Sequence, residues 1–148
     1  MKKLALFLLT ISLAISCNPK EELTKEEKIQ KSIEAKLKPL MKDSASYEFV
    51  SMSISRTFSV SERREVINQN KLEEVEALDK KLPSPALVKQ VETELSFLQE
   101  QRDETKEATY YVDFTAKGSN SFGGVVTSTY SATVINDEKL TVVGLKKK

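Results

Sequence analysis

The chain has no histidine and no tryptophan, one cysteine, four glycines and four prolines. Without histidine there is no Ser-His-Asp triad, no Cys–His pair and almost no zinc or copper site of the usual ligand sets. One cysteine makes no disulfide within the chain, so an apolar core has to hold the fold together. No phosphate loop is present: no Lys-Ser/Thr follows Gly123-Gly124, and a strand rather than a helix is expected next. Charge of one sign is also lacking, with 23 basic against 22 acidic side chains and a net charge of +1. No global field draws in nucleic acid or anionic lipid. The expectation is a protein with no cofactor, no metal and no nucleic-acid partner.

The cysteine that is present sits where an apolar run meets a charged one. Lys2 and Lys3 precede residues 4–15, which are almost wholly apolar. A helix of that length rises about 18 Å, short of a hydrocarbon core of roughly 30 Å. The segment therefore reads as an export signal rather than a membrane span. At its end, Ala14-Ile15-Ser16-Cys17 resembles the lipobox of bacterial lipoproteins, with Ala14 standing where a larger aliphatic residue is usual. The resemblance implies diacylglycerol on the Cys17 sulfur, cleavage before Cys17 and acylation, palmitate for example, of the new amino end. Two or three acyl chains, at about 0.8 kcal/mol per buried CH₂, make a lasting anchor. Ala14-x-Ser16 also fits an ordinary secretory cleavage, which leaves Cys17 as an exported thiol. Asn18 is not the Asp that commonly retains lipoproteins in the inner membrane. Lys20-Glu21-Glu22 resembles the short signal that sends lipoproteins to the cell surface in one large group of Gram-negative bacteria. The expected address is the outer membrane, lipid-anchored, with a surface-exposed and a periplasmic placement both open.

This divides the chain into a signal (1–16), a lipidated tether (17–24) and a single domain (25–148). The 148 residues less 16 leave 132, and loss of Lys2 and Lys3 leaves 21 basic against 22 acidic side chains. That length suits one domain. Lys146-Lys147-Lys148 reads as a frayed, solvated tail.

Thr24-Lys25-Glu26-Glu27 is a capping box, and Ile29, Ile33 and Leu37 recur behind it at helical spacing. Leu40 and Met41 continue the stripe, and Pro39 predicts a break near Leu37. Residues 47–60 alternate with period two: Val50, Met52, Ile54, Phe58 and Val60 on one parity, Ser51, Ser53, Ser55, Thr57 and Ser59 on the other. Tyr47 and Phe49 have the wrong parity, which a bulge near Phe49-Val50 corrects. Residues 61–107 carry two apolar stripes, Leu72, Val75, Leu78, Leu82 and then Leu87, Val88, Val91, Leu95, Leu98. Ser84 between them suits an N-cap and Pro85 the first helical position, so two antiparallel helices are predicted. From residue 109 strands return. Tyr110, Val112, Phe114 and Ala116 share one parity, and Val126, Tyr130, Ala132 and Val134 another run of the same kind, with a turn at 136–139 and a last strand at 140–145. The fold class is α+β: an N-terminal helix on a four-stranded antiparallel sheet, with a helical hairpin inserted between strands 1 and 2.

Two short motifs carry a second resemblance. Lys42-Asp43-Ser44-Ala45-Ser46-Tyr47-Glu48-Phe49-Val50 and Asn120-Ser121-Phe122-Gly123-Gly124 resemble those of a loose group of small exported bacterial proteins. The resemblance implies this fold and no activity. Elementary physics accounts for both motifs: Asp43 and Ser44 cap or turn the chain, and Gly123-Gly124 frees the backbone for a tight turn. The functional alternative makes Asn120, Ser121, Phe122, Gly123 and Gly124 a binding loop on a rigid scaffold.

Three functions fit. The first is a non-enzymatic, membrane-anchored interaction or assembly module of the cell envelope. The second is a carboxylate hydrolase, which needs two acids roughly 5–10 Å apart. Its candidates, Glu73, Glu74, Glu76, Glu92 and Glu94, are expected on solvated helix faces, and Asp113 stands alone in its strand. The third is a small inhibitor or protective protein that plugs an external enzyme or toxin with Phe122.

Overall fold

The computed structural model describes residues 22–148, so Cys17 and the export signal lie outside the described residues. Helix α1 (Lys25–Leu37) opens on the predicted capping box. The Thr24 hydroxyl accepts from the Glu27 N–H at 3.2 Å, and the Glu27 carboxylate accepts from the Thr24 N–H at 2.8 Å. Ile29, Ile33 and Leu37 are buried. With Pro39 two residues on, the α-helix stops at Leu37 and a 3-10 turn, Lys38–Leu40, follows. That tighter winding, 3.0 residues per turn, rotates the stripe off the core. Met41 still packs inward, but Leu40 is 70% exposed and does not continue the buried face.

Strands β1 (Glu48–Ser59), β2 (Glu107–Ser119), β3 (Val125–Ile135) and β4 (Val142–Lys147) form one antiparallel sheet in the order β1-β2-β3-β4. Tyr110, Val112, Phe114 and Ala116 of β2 turn one face to α1, together with Ala132, Val134 and Val142. The bulge near Phe49 is present. Phe49 pairs with Ala116 and Ser51 with Thr115, so Val50 is the extra residue and stands exposed while Phe49 joins the core parity. A second register shift, between Ile54 and Arg56, falls where Arg56 interrupts the apolar parity of the sequence. It corrects the single-parity reading of β1: Ile54 opposes Val112 on the α1 face, whereas Phe58 opposes Thr109 on the other. Phe58 is buried there, edge-on to Tyr111 at 4.8 Å.

The insertion holds three helices rather than two: α2 (Val60–Val66), α3 (Gln69–Asp79) and α4 (Pro85–Glu100). Val60 therefore leaves the predicted strand. Ser59 and Glu62 make a second capping box that starts α2, and the Asn68 side chain accepts from the Lys71 N–H to start α3. The predicted hairpin is α3–α4. Pro85 takes the first helical position, but Ser84 caps only by place, since its hydroxyl makes no capping bond. Val60, Ile67, Val75, Val91, Leu95, Phe97 and Leu98 pack with Ala108 and Ile135 into a second core on the sheet's other face. The first stripe is buried only around Leu72 and Val75; toward the hairpin's tip Leu78 and Leu82 stand exposed.

The last strand begins two residues later than predicted. Leu140 adopts φ +50° to bury its side chain in the first core, and the Asp137 carboxylate holds the turn by accepting from the Thr141 N–H and hydroxyl. The terminal lysines are not a frayed tail. Lys146 and Lys147 belong to β4, and Lys148 pairs with Asp113 at 2.7 Å.

Tyr47 packs against the first core with its hydroxyl buried and without a hydrogen-bond partner among the described residues. A buried hydroxyl of that kind costs about 1–3 kcal/mol. Tyr47→Phe removes only that oxygen, so the variant is expected to be more stable by about 1 kcal/mol, read as a higher urea midpoint at unchanged m-value. An unchanged or lower midpoint would mean the hydroxyl is satisfied.

Candidate functional site

Helix α1 has 13 residues and β2 also has 13. At 1.5 Å per residue the helix is about 20 Å long, while at about 3.3 Å per residue the strand is about 43 Å. The helix therefore stops short of the far end of the sheet, where Phe114 and Ala116 are still buried in the first core with Met41 and Tyr47 packed against it, and a groove stays open toward β3 and β4. Ala116 and Gly118 of β2, Val126, Ser128 and Tyr130 of β3, and Leu145 of β4 floor this groove of 490 Å³, walled by Leu37, Leu40 and Met41. The Tyr130 ring is fixed by stacking on Phe114 at 5.1 Å.

Both sequence motifs meet at this end, although 79 positions separate Lys42 from Ser121. The Lys42 ammonium donates to the Ser121 hydroxyl at 2.7 Å, and the Ser119 N–H donates to the Ser46 hydroxyl oxygen at 2.8 Å. The Asp43 carboxylate caps a 3-10 turn, Ser44–Ser46, by accepting from the Ala45 N–H. The Asn120 side-chain carbonyl accepts from the N–H groups of Phe122 and Gly124, each at 2.9 Å, and Gly123 takes φ +80°. The loop is thus braced from within, as the structural reading of Asn120, Gly123 and Gly124 requires. Its tip, Phe122, is 96% exposed.

The carboxylate candidates divide differently. Glu73, Glu74, Glu76 and Glu92 are exposed, as expected of solvated faces. Glu94 is the correction, for it is fully buried. Its oxygens accept from Arg63 Nε at 2.5 Å and Arg63 Nη2 at 3.0 Å, and the Thr109 hydroxyl donates to it at 2.9 Å. The guanidinium lies 5.3 Å from the Phe58 ring centroid and 5.4 Å from that of Tyr111. Burial works to lower the Arg63 pKa, but the hydrogen bond and charge of Glu94 outweigh it, and the group stands above its ordinary value. Arg63 and Thr109 had no place among the sequence candidates. A signal for Glu94 existed: it falls three residues after Val91 and four before Leu98, inside the apolar face of α4.

At the other end of the sheet, Lys25 donates to Glu107 at 2.6 Å and the Tyr110 hydroxyl donates to the same carboxylate at 2.9 Å. Those two bonds, Lys25 first, hold the Glu107 carboxyl below its usual range. A polar cleft of 530 Å³ lies on the sheet face opposite α1, lined by Gln90, Tyr111, Asp113, Thr133 and Lys146 among others. Among the described residues no three His, Cys, Asp or Glu side chains converge on a metal position, and no helix is long and apolar enough to cross a membrane. Compared with protein-family models, curated proteins and solved structures, the chain matches none.

Proposed function

We propose that this protein is a lipoprotein of the cell envelope, anchored through lipid on Cys17, and that it acts as a non-enzymatic interaction or assembly module. The observation that carries the reading is where apolar side chains stand in water. Leu78, Leu82 and Leu87, 47%, 75% and 40% exposed, flank the turn of the α3–α4 hairpin. Bare aliphatic side chains on a projecting tip are what a protein-binding surface presents. The buried carboxylate adds support, since Glu94 is committed to Arg63 and Thr109 and is closed off from substrate. The membrane address rests on Ala14-Ile15-Ser16-Cys17. Lys20-Glu21-Glu22 favours the outer face of the outer membrane, with the periplasmic face as the other placement.

A second reading, a small inhibitor or protective protein, is favoured by Phe122. A braced loop presents this ring with little left to order on binding, and pre-organisation of that kind favours affinity. Cross-linking in intact cells of the native host separates the two. The expected result is one near-stoichiometric envelope partner, lost with Leu82→Ser and kept with Phe122→Ala. The reverse pattern would establish the wedge reading, and empty capture from healthy cells would sink the assembly module.

A further inference from the structure

We infer that the groove beyond the end of α1 binds a single-tailed amphiphile with an anionic head, of the fatty-carboxylate class. The floor explains the tail. Val126, Tyr130 and Leu145 continue the parity that α1 buries elsewhere; Tyr130 and Leu145 are partly buried against the first core, and Val126 is 40% exposed. The groove's 490 Å³ lies inside the roughly 300–1,000 Å³ of small-molecule sites, which pair an apolar lining with a few placed polar groups.

The rim explains the head. Lys42 and Lys147 border the groove, and none of its fifteen lining residues is acidic; Lys117 also lines it, but alternation along β2 turns its ammonium to the opposite face of the sheet. In a chain with nearly equal numbers of acids and bases, that is a local excess of one sign. The Lys42 ammonium already donates to the Ser121 hydroxyl, while Lys117 pairs with Glu48 at 2.8 Å on the other face. Lys147 has no ion-pair partner among the described residues. A carboxylate there gains a charge-assisted bond that a neutral or cationic head does not. Gly118 admits the Met41 side chain that walls the groove: a Cβ on it would come within 2.3 Å of Met41 Cε, so that flexible side chain would have to move.

The test uses the full chain carrying Cys17→Ser, made without acylation so that no acyl chain of its own competes, with a dansylated undecanoate as fluorescent probe. Dodecanoate is expected to displace the probe, dodecanol to do so about tenfold less well, and dodecyltrimethylammonium not at all. Lys147→Glu is expected to weaken dodecanoate about tenfold and to leave dodecanol unchanged. Ser128→Phe fills the floor and is expected to abolish both at an unchanged thermal midpoint. If that variant unfolds, the smaller Ser128→Leu serves in its place. Equal displacement by dodecanoate and dodecanol, no displacement, or binding that survives the groove-filling variants on the apolar residues 4–15 would each overturn the inference.

Discussion

Replacing Glu94 by Ala is expected to lower the free energy of unfolding by about 3–5 kcal/mol, a large share of the roughly 5–15 kcal/mol that holds a domain together. The reason lies in what remains. The Arg63 side chain is 5% exposed and loses its only carboxylate, while the Thr109 hydroxyl, fully buried, loses its acceptor. An uncompensated buried guanidinium costs far more than a missing surface bridge. Arg63 is on α2, Glu94 on α4 and Thr109 on β2, so the loss also loosens the insertion from the sheet. Amide exchange in α2 and α4 should rise before that in β2 and β3. The triple variant Arg63→Met, Glu94→Leu, Thr109→Val removes every polar partner at once and should recover most of the stability. A fall for Glu94→Ala no larger than that for an exposed acid such as Glu73→Ala would show that water reaches Arg63.

That pair also marks how far sequence reasoning reaches. Local devices were legible because their physics is local. The Thr24 box, the break ahead of Pro39, the bulge at Val50 and the turn at Asp137 each need only a few neighbouring residues. Parity sorted β2 from Thr109 onward and β3 correctly because those two pair without a break; the extra residue of β2, Ala108, comes before that stretch and packs in the second core. It failed on Phe58, since the shift after Ile54 reverses the face, and Arg56, a charge on the apolar parity, stood as an interruption and was not read as a bulge. The Ser59–Glu62 box that starts α2 was present in the sequence and was absorbed into the alternation of β1. The fate of Glu94 was not legible as a pair, because its partner lies 31 positions away on a helix that alternation had hidden. The groove was beyond reach for a related reason. Its motifs could be named one by one, but only the length mismatch between α1 and β2, and the antiparallel return of β3, bring Lys42 and Ser121 to the same rim.

Cys17→Ser is expected to abolish both acylation and outer-membrane residence. In cells fed an alkyne analogue of palmitate, the parent protein should carry the label and sediment with outer membrane. The variant should carry no label and leave that fraction. The size of the effect follows from how little else holds the protein there. No helix among the described residues is long and apolar enough to cross a bilayer, and the domain after residue 16 has near-balanced charge. At about 0.8 kcal/mol per buried CH₂, two acyl chains outweigh any contact a few surface lysines make with headgroups. Direction matters as well. The tether joins α1 at Lys25, which binds Glu107 at the start of β2, whereas Phe122 follows the end of that strand about 40 Å away. The start of α1 and the braced loop thus belong to opposite ends of the sheet. An unlabelled parent with a titratable thiol at Cys17 would establish ordinary secretion through Ala14-x-Ser16, and equal labelling of parent and variant would place the acyl chain on another residue.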